Sequence, residues 1–396
     1  MTNLHYTLKD HVKHMRRALH QFPELSFQEY KTTEFIIGEL KNIPGMKVYT
    51  GRDYVGLETG VIGVLSTGDG PVIGIRADID ALPIQEQNDI PYRSKCDGVM
   101  HACGHDAHTA MALGAAALLA EQLRKGEWKG TIKFIFQPAE EDTDENGSTG
   151  APYLIDAGIL HHVDAVIALH VHPDLPAGEI LLNKEYTMAG IDTFDAKILG
   201  TGGHAAYPHT TNDPIWMLGT VLQNLQGIVA RKTSPMDPSV ISVTHVQTNP
   251  SYNVIPDSVS LKGTLRSYHP TNRQQLRELL ETSLTWTRTV GGDYTLNIIK
   301  GEPPLYNDPQ ITKVFEETIQ NIFPNFLIHN GPFGMGGEDF AHMTNQVPGA
   351  MFFLGAKVMD EKERGLHTPH FDIDETALLY GVTILAETAV RLLKTA

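Results

Sequence analysis

A short stretch between His101 and His108 combines a thiol with several imidazoles, in the order His-Ala-Cys-Gly-His-Asp-Ala-His. Cys103 and His105 are two residues apart, so both side chains can face one cavity if the turn is extended. Thiolate and imidazole are ligands that zinc and similar divalent ions prefer. Because a lone cysteine is more often a core residue than a ligand, this pair predicts a metal site only if further ligands and a base come from elsewhere in the chain.

Polar side chains that could complete such a site follow three apolar, β-branched segments, at the point where each predicted strand ends. These side chains are Asp78 and Asp80 after residues 72–75, Glu140 and Glu141 after residues 132–136, and His170 and His172 after residues 165–169. In an open α/β sheet, ligands bind beyond the carboxyl ends of the strands. We therefore expect these groups to meet the Cys103 loop at one edge of a sheet.

The tandem glutamates Glu140 and Glu141 have two interpretations. Acidic runs in loops are usually solvated, and the neighbouring Asp142 fits that alternative. Directly after a buried strand, however, adjacent carboxylates allow one to bind a metal ion while the other transfers protons. Metal-assisted hydrolysis needs this division, because the ion lowers the pKa of bound water and a nearby carboxylate accepts the proton. The pair therefore predicts a hydrolytic metal site.

The other histidines are less specific when each is taken alone. His170 and His172 are by themselves more typical of hydrogen-bonded structural residues. His367 lies in a proline-containing loop before the last predicted helix and can present a ligand, although His370 in the same loop competes on composition. His108 follows His105 by three residues on a predicted helix, so it shares a face with His105 and can support the site.

Composition excludes several classes of protein. The chain has 396 residues and a formal net charge of −16, whereas a nucleic-acid binder is typically basic. Two cysteines cannot form a disulfide framework. No apolar leader is visible, and the longest apolar stretch, residues 111–120, is too short to span a bilayer. We expect a soluble cytoplasmic protein that binds neither nucleic acid nor membrane.

The pattern of elements predicts two domains. Nearly continuous apolar segments alternate with helical ones in the first part of the chain and again at its end, which indicates an α/β layered architecture. From about Gly190 the strands become half-polar, with two helices between them, which favours a smaller α+β sandwich. The sequence thus predicts a catalytic domain formed by residues 1–189 and 303–396, interrupted by an inserted domain at residues 190–302, a usual domain size.

Taken together, these residues resemble a known family. Over essentially its whole length the chain is similar to the M20 metallopeptidase family, in its amidohydrolase branch of N-acyl-amino-acid, hippurate and indole-3-acetyl-amino-acid hydrolases. The motifs that carry the resemblance are Arg76–Pro83 (RADIDALP), Met100–Thr109 (MHACGHDAHT), Phe136–Glu141 (FQPAEE), Leu169–His170, Gly200–His209 (GTGGHAAYPH), Asn253–Pro256 (NVIP), Arg266, Gly336–Phe340 (GGEDF) and His367–Phe371 (HTPHF).

The resemblance implies a metal-dependent exopeptidase-like catalytic domain, with a mixed sheet between helices, and a dinuclear metal centre. Cys103 would bridge two divalent ions. The other implied ligands are His105 and His170 for one ion and Glu141 and His367 for the other. Glu140 would be the general base, and Asp78 would orient the ligands from behind, as metal sites usually require.

The resemblance also implies that the inserted domain is a lid and dimerisation domain. His204 would contact the developing oxyanion, either within its own subunit or across to a partner. Asn253 and Arg266 would hold the substrate carboxylate, which a guanidinium can bind in a bidentate manner; for Arg266 a strand-end surface charge is the alternative. The implied reaction converts an N-acyl amino acid into a carboxylic acid and a free amino acid, in a homodimer or higher homo-oligomer.

Two departures from the broader family favour the amidohydrolase branch. Aminopeptidases and dipeptidases of the family use an aspartate bridge and a His-x-Asp motif, whereas Cys103 and Arg76 stand at those places here. A thiolate suits Zn²⁺, while this branch is often linked to Mn²⁺, Ni²⁺ or Co²⁺, so the metal stays open. The alternatives are a dipeptidase or aminopeptidase of the same family, and a non-catalytic protein that binds metal or amino acids on this scaffold.

Overall fold

The computed structural model describes residues 2–249 and 251–395, with side chains described from residue 8 onward. The described residues form two compact units. The first unit consists of the described residues within Met1–Glu185, Tyr306–Phe333 and Asp339–Ala396, and the second of those within Tyr186–Leu305 and Gly334–Glu338. The roles of these units as a catalytic domain and an inserted lid stay a prediction.

The helices are α1 (Thr2–Gln21), α2 (Tyr30–Lys41), α3 (Arg52–Val55), α4 (His105–Arg124), α5 (Gly150–Asp156), α6 (Pro214–Arg231), α7 (Pro270–Thr289), α8 (Pro309–Ile322), α9 (Phe340–Thr344) and α10 (Ala377–Thr395), with a 3₁₀ turn at Pro208–Thr210. The strands are β1 (Lys47–Thr50), β2 (Val61–Ser66), β3 (Val72–Asp78), β4 (Thr131–Gln137), β5 (Ala165–His172), β6 (Glu179–Leu181), β7 (Glu185–Met188), β8 (Gly190–Leu199), β9 (Gly203–His204), β10 (Ser239–Gln247), β11 (Val254–Ile255), β12 (Ser258–Ser267), β13 (Asp293–Lys300), β14 (Leu305–Asn307), β15 (Leu327–His329) and β16 (Gly349–Gly355). Within the described part of the chain, every helix is too short or too polar to cross a lipid bilayer.

The first unit is built on an eight-stranded sheet in the order β1-β2-β4-β3-β5-β16-β6-β15. Strand β3 runs parallel to both β4 and β5, and β16 runs parallel to β5. The pairs β1–β2 and β2–β4 are antiparallel, so the sheet is mixed as predicted. Because the central parallel strands point the same way, the polar groups that follow them emerge at one edge.

The Cys103 loop lies at that edge and leads into helix α4. The loop and the helix pack so closely against neighbouring elements that glycine is needed at two positions. At Gly114 a Cβ atom would come within 2.7 Å of both Val12 on α1 and Val382 on α10. At Gly104, just before α4 begins, φ is 92° and a Cβ would lie 2.4 Å from Val171 of β5. Glycine at these two positions therefore lets the loop and helix pack directly against their neighbours.

The second unit has a four-stranded antiparallel sheet in the order β10-β12-β8-β13. Buried and exposed residues alternate along β8 and β12, and the buried side chains pack with apolar residues of α6 and α7. One face of this sheet is therefore covered by helices while the other carries polar residues. A separate two-stranded ribbon pairs β9 with β11.

Candidate metal centre

The five predicted ligands, which come from four separate segments of the first unit, lie together near the carboxyl ends of its central strands. The Sγ atom of Cys103 lies 3.4 Å from Nε2 of His170 and 3.3 Å from Nε2 of His367. The Oε1 atom of Glu141 lies 3.3 Å from Nε2 of His367 and 3.7 Å from Nε2 of His105. The donor atoms are thus close enough to share cations.

Cys103 belongs to two groups of donor atoms, and within each group the atoms lie no more than 4.8 Å apart. One group contains Cys103, His105 and His170, and the other contains Cys103, Glu141 and His367. Within the described chain, the buried atoms His105 Nε2 and Glu141 Oε1 have no hydrogen-bond partner. Since buried polar atoms are normally paired, and since sulfur, imidazole and carboxylate donors suit divalent transition metals, the residues fit a pair of cations.

The electrostatics of the cluster also favour cations. Burial by itself would lower the pKa of His105, but the carboxylates of Asp78, Asp80 and Glu141 outweigh it and raise that pKa to about 10. Burial, reinforced by the charge of Glu141, raises the pKa of the Cys103 thiol. Both groups therefore keep a proton at neutral pH in the metal-free protein, and a cation has to displace these protons in order to bind.

Asp80 orients His105, a role that was not predicted from the sequence. Its Oδ1 atom accepts a hydrogen bond from Nδ1 of His105 at 3.1 Å. Its Oδ2 atom accepts from Ser26 Oγ at 2.7 Å and from the Glu141 backbone N–H at 2.9 Å. Because an ionised carboxylate only accepts, Nδ1 of His105 carries a proton in either charge state, and Nε2 is the nitrogen that faces the cluster and that a cation would deprotonate. The spacing of Asp80, two residues after Asp78, is the signal that could have found it.

Asp78, the residue predicted to orient the site, acts on a different histidine. Its carboxylate accepts hydrogen bonds from Nη1 of Arg76 and Nδ1 of His108, both at 2.7 Å. Its separation from Nε2 of His105 is 3.6 Å. Burial alone would raise the pKa of Asp78, but the charges of His105, His108 and Arg76 hold it well below the ordinary value. Asp78 is therefore an ionised carboxylate that holds His108.

His108 in turn supports the segment that carries His170. Its Nε2 atom accepts a hydrogen bond from the Val171 backbone N–H at 2.9 Å, so its remaining proton must lie on Nδ1, where it is donated to Asp78. The adjacent carbonyl of Val171 accepts from Nδ1 of His170 at 2.7 Å. These bonds leave Nε2 of His170 facing Cys103. His108, which the sequence predicts as a supporting residue, therefore supports the site through the backbone next to a ligand.

The alternatives among the histidines separate geometrically. His367 joins a donor group, whereas His370 and His172 belong to none of the groups found in the described chain. His367 adopts a left-handed conformation with φ of 59°, and its backbone N–H donates to the Ala102 carbonyl at 2.8 Å. This hydrogen bond holds the His367 loop against the loop that carries Cys103.

Glu140 lies beside the ligands. Its Oε2 atom is 4.0 Å from Nε2 of His105, and its side chain is 11% exposed. The carboxylate is therefore close to the cation-binding atoms yet accessible to a small molecule. Its predicted role as the base stays a prediction.

The three remaining predicted residues belong to the second unit. His204 lies on strand β9, and Asn253 immediately precedes its partner strand β11. The Ala205 N–H donates to the Asn253 carbonyl at 3.0 Å, and the side chains of His204 and Asn253 are exposed. Arg266 is half-buried and its Nη1 donates to the Met335 carbonyl at 2.8 Å. Burial lowers the pKa of Arg266. Their contacts with substrate stay predictions.

Comparisons with known proteins cover nearly the whole chain. The family model described as peptidase family M20/M25/M40 matches residues 74–391, a range that includes all five predicted metal ligands. N-acetylcysteine deacetylase from Bacillus subtilis (strain 168) is 39% identical over 383 residues, which cover 96% of this chain and 96% of that protein. IAA-amino acid hydrolase ILR1-like 4 from Arabidopsis thaliana is 36% identical over 389 residues, which cover 96% of this chain and 85% of that protein.

A solved structure is similar along its full length. It is that of the Bacillus subtilis YXEP protein, described as a dinuclear metal-binding peptidase from the M20 family. The TM-score is 0.85 with 35% sequence identity, and the match covers 99% of this chain and 100% of that one. The mixed α/β fold and a cluster able to hold metal are therefore features that this chain has in common with a dinuclear metal-binding protein.

Proposed function

This chain belongs to peptidase family M20/M25/M40, in its amidohydrolase branch, and from that premise we propose that it hydrolyses N-acyl amino acids to a carboxylic acid and a free amino acid. It is a metal-dependent hydrolase of amide bonds. The observation that supports the proposed reaction best is the position of Glu140, at the edge of two donor groups that share the Cys103 thiol.

We propose that the donor groups hold two divalent cations in each subunit, Zn²⁺ or Mn²⁺, with Ni²⁺ and Co²⁺ also compatible. Cys103 would contact both, with His105 and His170 on one side and Glu141 and His367 on the other. When bound, such a pair supplies a Lewis acid for the amide carbonyl and lowers the pKa of a water molecule. The protein keeps the ligand atoms turned inward through the Asp80 and His108 hydrogen bonds.

Glu140 would move the proton. As the oxygen of the attacking water bonds to the amide carbon, the carboxylate of Glu140 accepts a proton from that water. When the carbon–nitrogen bond breaks, Glu140 donates the same proton to the departing amine nitrogen. The side chain is near His105 and partly exposed, which supports this role because the base must reach both the water and the substrate.

Residues of the second unit would bind the rest of the substrate. We propose that His204 donates to the developing oxyanion and that Asn253 and Arg266 bind the carboxylate of the amino-acid product. The half-buried guanidinium of Arg266 supports this because partial desolvation strengthens the pairing of charges. Whether His204 serves its own subunit or a partner stays open.

We further propose a homodimer, or a higher homo-oligomer, that forms through the second unit. Strand β10 is at the edge of its sheet, and the residues from Thr244 to Gln247 are exposed. An exposed edge strand presents unpaired backbone N–H and C=O groups that a second copy can pair with. Sedimentation or light scattering of the purified protein tests this proposal, and a monomer at all concentrations would contradict it.

The reaction is tested by Glu140→Gln. This variant should bind Zn²⁺ or Mn²⁺ as the native protein does but hydrolyse N-acetyl and N-benzoyl amino acids about 100- to 10,000-fold more slowly, which is the usual contribution of a general base. The matched control is Glu145→Gln, in the exposed part of the same loop, and it should leave kcat unchanged. Near-native turnover by Glu140→Gln would refute the assignment of the base.

Two other functions are distinguished by the same assays. The similar solved structure is described as a peptidase, so a dipeptidase or aminopeptidase is the second candidate. Faster hydrolysis of free dipeptides than of N-acyl amino acids would favour it. A protein that binds metal but hydrolyses none of a broad panel of acyl amino acids, after loading with each metal in turn, would instead be a non-catalytic binding protein.

A further inference from the structure

Glu29 occupies the position before helix α2, where a side chain normally caps the helix. Among the described residues it makes no capping hydrogen bond. Glu24 takes over this task, because its Oε2 atom accepts from the backbone N–H and the hydroxyl of Thr32 at 2.9 and 3.0 Å. The Glu29 side chain is 0% exposed. Burying a carboxylate is unfavourable unless it is hydrogen-bonded, so the partners of Glu29 are informative.

Two of these partners are backbone N–H groups of residues in unusual conformations, and the third is a side-chain hydroxyl. The Oε1 atom of Glu29 accepts from the N–H of Phe27 at 2.9 Å and of Ala139 at 2.8 Å. Its Oε2 atom accepts from the hydroxyl of Thr59 at 2.8 Å. Phe27 and Ala139 have φ of 64° and 53°, in the left-handed region that residues other than glycine rarely adopt. One carboxylate oxygen thus stabilises two disfavoured turns.

Ala139 immediately precedes the tandem glutamates, and its turn determines where they point. The Ala139 carbonyl accepts from the Gly150 N–H at 2.7 Å, and the Glu141 N–H donates to Asp80 at 2.9 Å. The Ala139 N–H, at the start of the turn, donates its hydrogen bond to Oε1 of Glu29. Without this acceptor the left-handed conformation would lose a stabilising contact, and the side chain that follows it would be held less firmly.

We propose that Glu29 is a positioning residue for hydrolysis, which acts through the Ala139 turn to aim the carboxylate of Glu140. This inference rests on the proposed function, because it takes Glu140 as the base. Burial, followed by the charge of Asp80, raises the pKa of Glu29 to about 7. A neutral side chain of the same shape is therefore expected to fit: glutamine keeps an oxygen for the two N–H groups and can donate to Thr59.

The test compares three variants for kcat, KM, apparent metal Kd and melting temperature. Glu29→Ala should lower kcat about 10- to 100-fold, as loss of a supporting hydrogen bond at a metal site typically does, with KM and metal Kd near native. Glu29→Gln should restore most of the kcat. Thr59→Val is the matched control, because it removes the partner of Oε2 and leaves the Ala139 bond intact. If Glu29→Ala does not fold, Glu29→Met replaces it and keeps the buried volume.

A double-mutant cycle with Glu140→Gln separates positioning from a merely structural role. If Glu29 acts through Glu140, the double variant should be about as slow as Glu140→Gln alone, since effects that pass through one group do not add. The inference is wrong if the losses of kcat in the two single variants multiply in the double variant. It is also wrong if Glu29→Ala has a native kcat per bound metal and only its melting temperature falls. Failure of the proposed function looks different, because Glu140→Gln would then keep its turnover.

Discussion

Replacing Asp80 by asparagine is expected to weaken cation binding about 10- to 100-fold, because it reverses the hydrogen bond that orients His105. The Glu141 backbone N–H, which donates to Oδ2 of Asp80 at 2.9 Å, can only donate. It therefore keeps the amide oxygen of the asparagine at that position. The amide nitrogen then faces Nδ1 of His105, which must accept. In the neutral, metal-binding form of the histidine the proton therefore lies on Nε2, the atom that faces the cations.

The strength of the Asp80–His105 hydrogen bond is consistent with this change in affinity. A hydrogen bond to a charged group contributes about 1.5–3 kcal/mol, and the Asp80–His105 bond of 3.1 Å joins side chains that are both buried. A 10- to 100-fold weaker affinity corresponds to roughly 1.4–2.8 kcal/mol. The two ranges overlap, so the loss of this single bond is sufficient to account for the expected effect.

Competition between the metal-free protein and a chromogenic chelator for Zn²⁺ or Mn²⁺ measures the apparent Kd directly. The matched control is Ser26→Ala, which removes another donor to Asp80, at 2.7 Å, but leaves the bond to His105. This control should bind the ion within about threefold of the native protein, since the metal ligands keep their orientation. The role given to Asp80 is wrong if Asp80→Asn binds the ion as tightly as the native protein, or if Ser26→Ala weakens binding equally.

Two further predictions concern pH and stability. The pKa of His105 is raised to about 10 in the metal-free protein, so protons compete with the cation below that pH. Titration calorimetry in buffers of different ionisation enthalpy should therefore show that protons are released when the cation binds. The affinity for the cation should fall as the pH is lowered from 8 to 6. Equal affinity at both pH values would contradict this. In the second unit, burial alone would raise the pKa of Asp192, but hydrogen bonds and charges from Arg277 and Arg273 outweigh the effect of burial and lower the pKa. The ionised Asp192 therefore stabilises the fold at pH values above its unfolded-state pKa of about 4. This stabilisation is lost as the pH falls through the lower pKa of the folded state. Asp192→Asn should lower the free energy of unfolding, measured in urea, by about 3–5 kcal/mol. The control is Asp195→Asn, because Asp195 lies in an exposed ion pair on the same strand, and it should change this free energy by at most about 1 kcal/mol. Equal effects of the two substitutions would contradict the stabilising role of Asp192.

The layered fold could be predicted from the sequence because it has a local signal. Continuous apolar segments such as residues 72–75 and 165–169 are long enough to be strands and are bounded by polar residues. The mixed sheet and the family are confirmed. The exact ends of the elements have no such signal. Helix α2 begins at Tyr30, just after Phe27, whose left-handed conformation the apolar spacing does not reveal.

Four of the five candidate ligands were also accessible from the sequence, since Glu141 and His170 follow predicted strands and Cys103 and His105 lie in the Cys103 loop. Their convergence is a consequence of the parallel arrangement of β3, β4 and β5. The choice between His367 and His370 had no such signal. It depends on the hydrogen bond from the His367 N–H to the Ala102 carbonyl, which joins two residues that are far apart in the chain.

By itself, the sequence determined which chemical groups are available and at which strand ends they emerge, because apolar periodicity and residue type are local properties. Only the tertiary structure decided how these groups are held. It assigns Asp80 to His105, Asp78 to His108, and Glu29 to the Ala139 turn. The physical reason is that a hydrogen bond depends on distance and direction between atoms, and partners that are 25 to 110 residues apart leave no pattern along the chain from which those distances can be read.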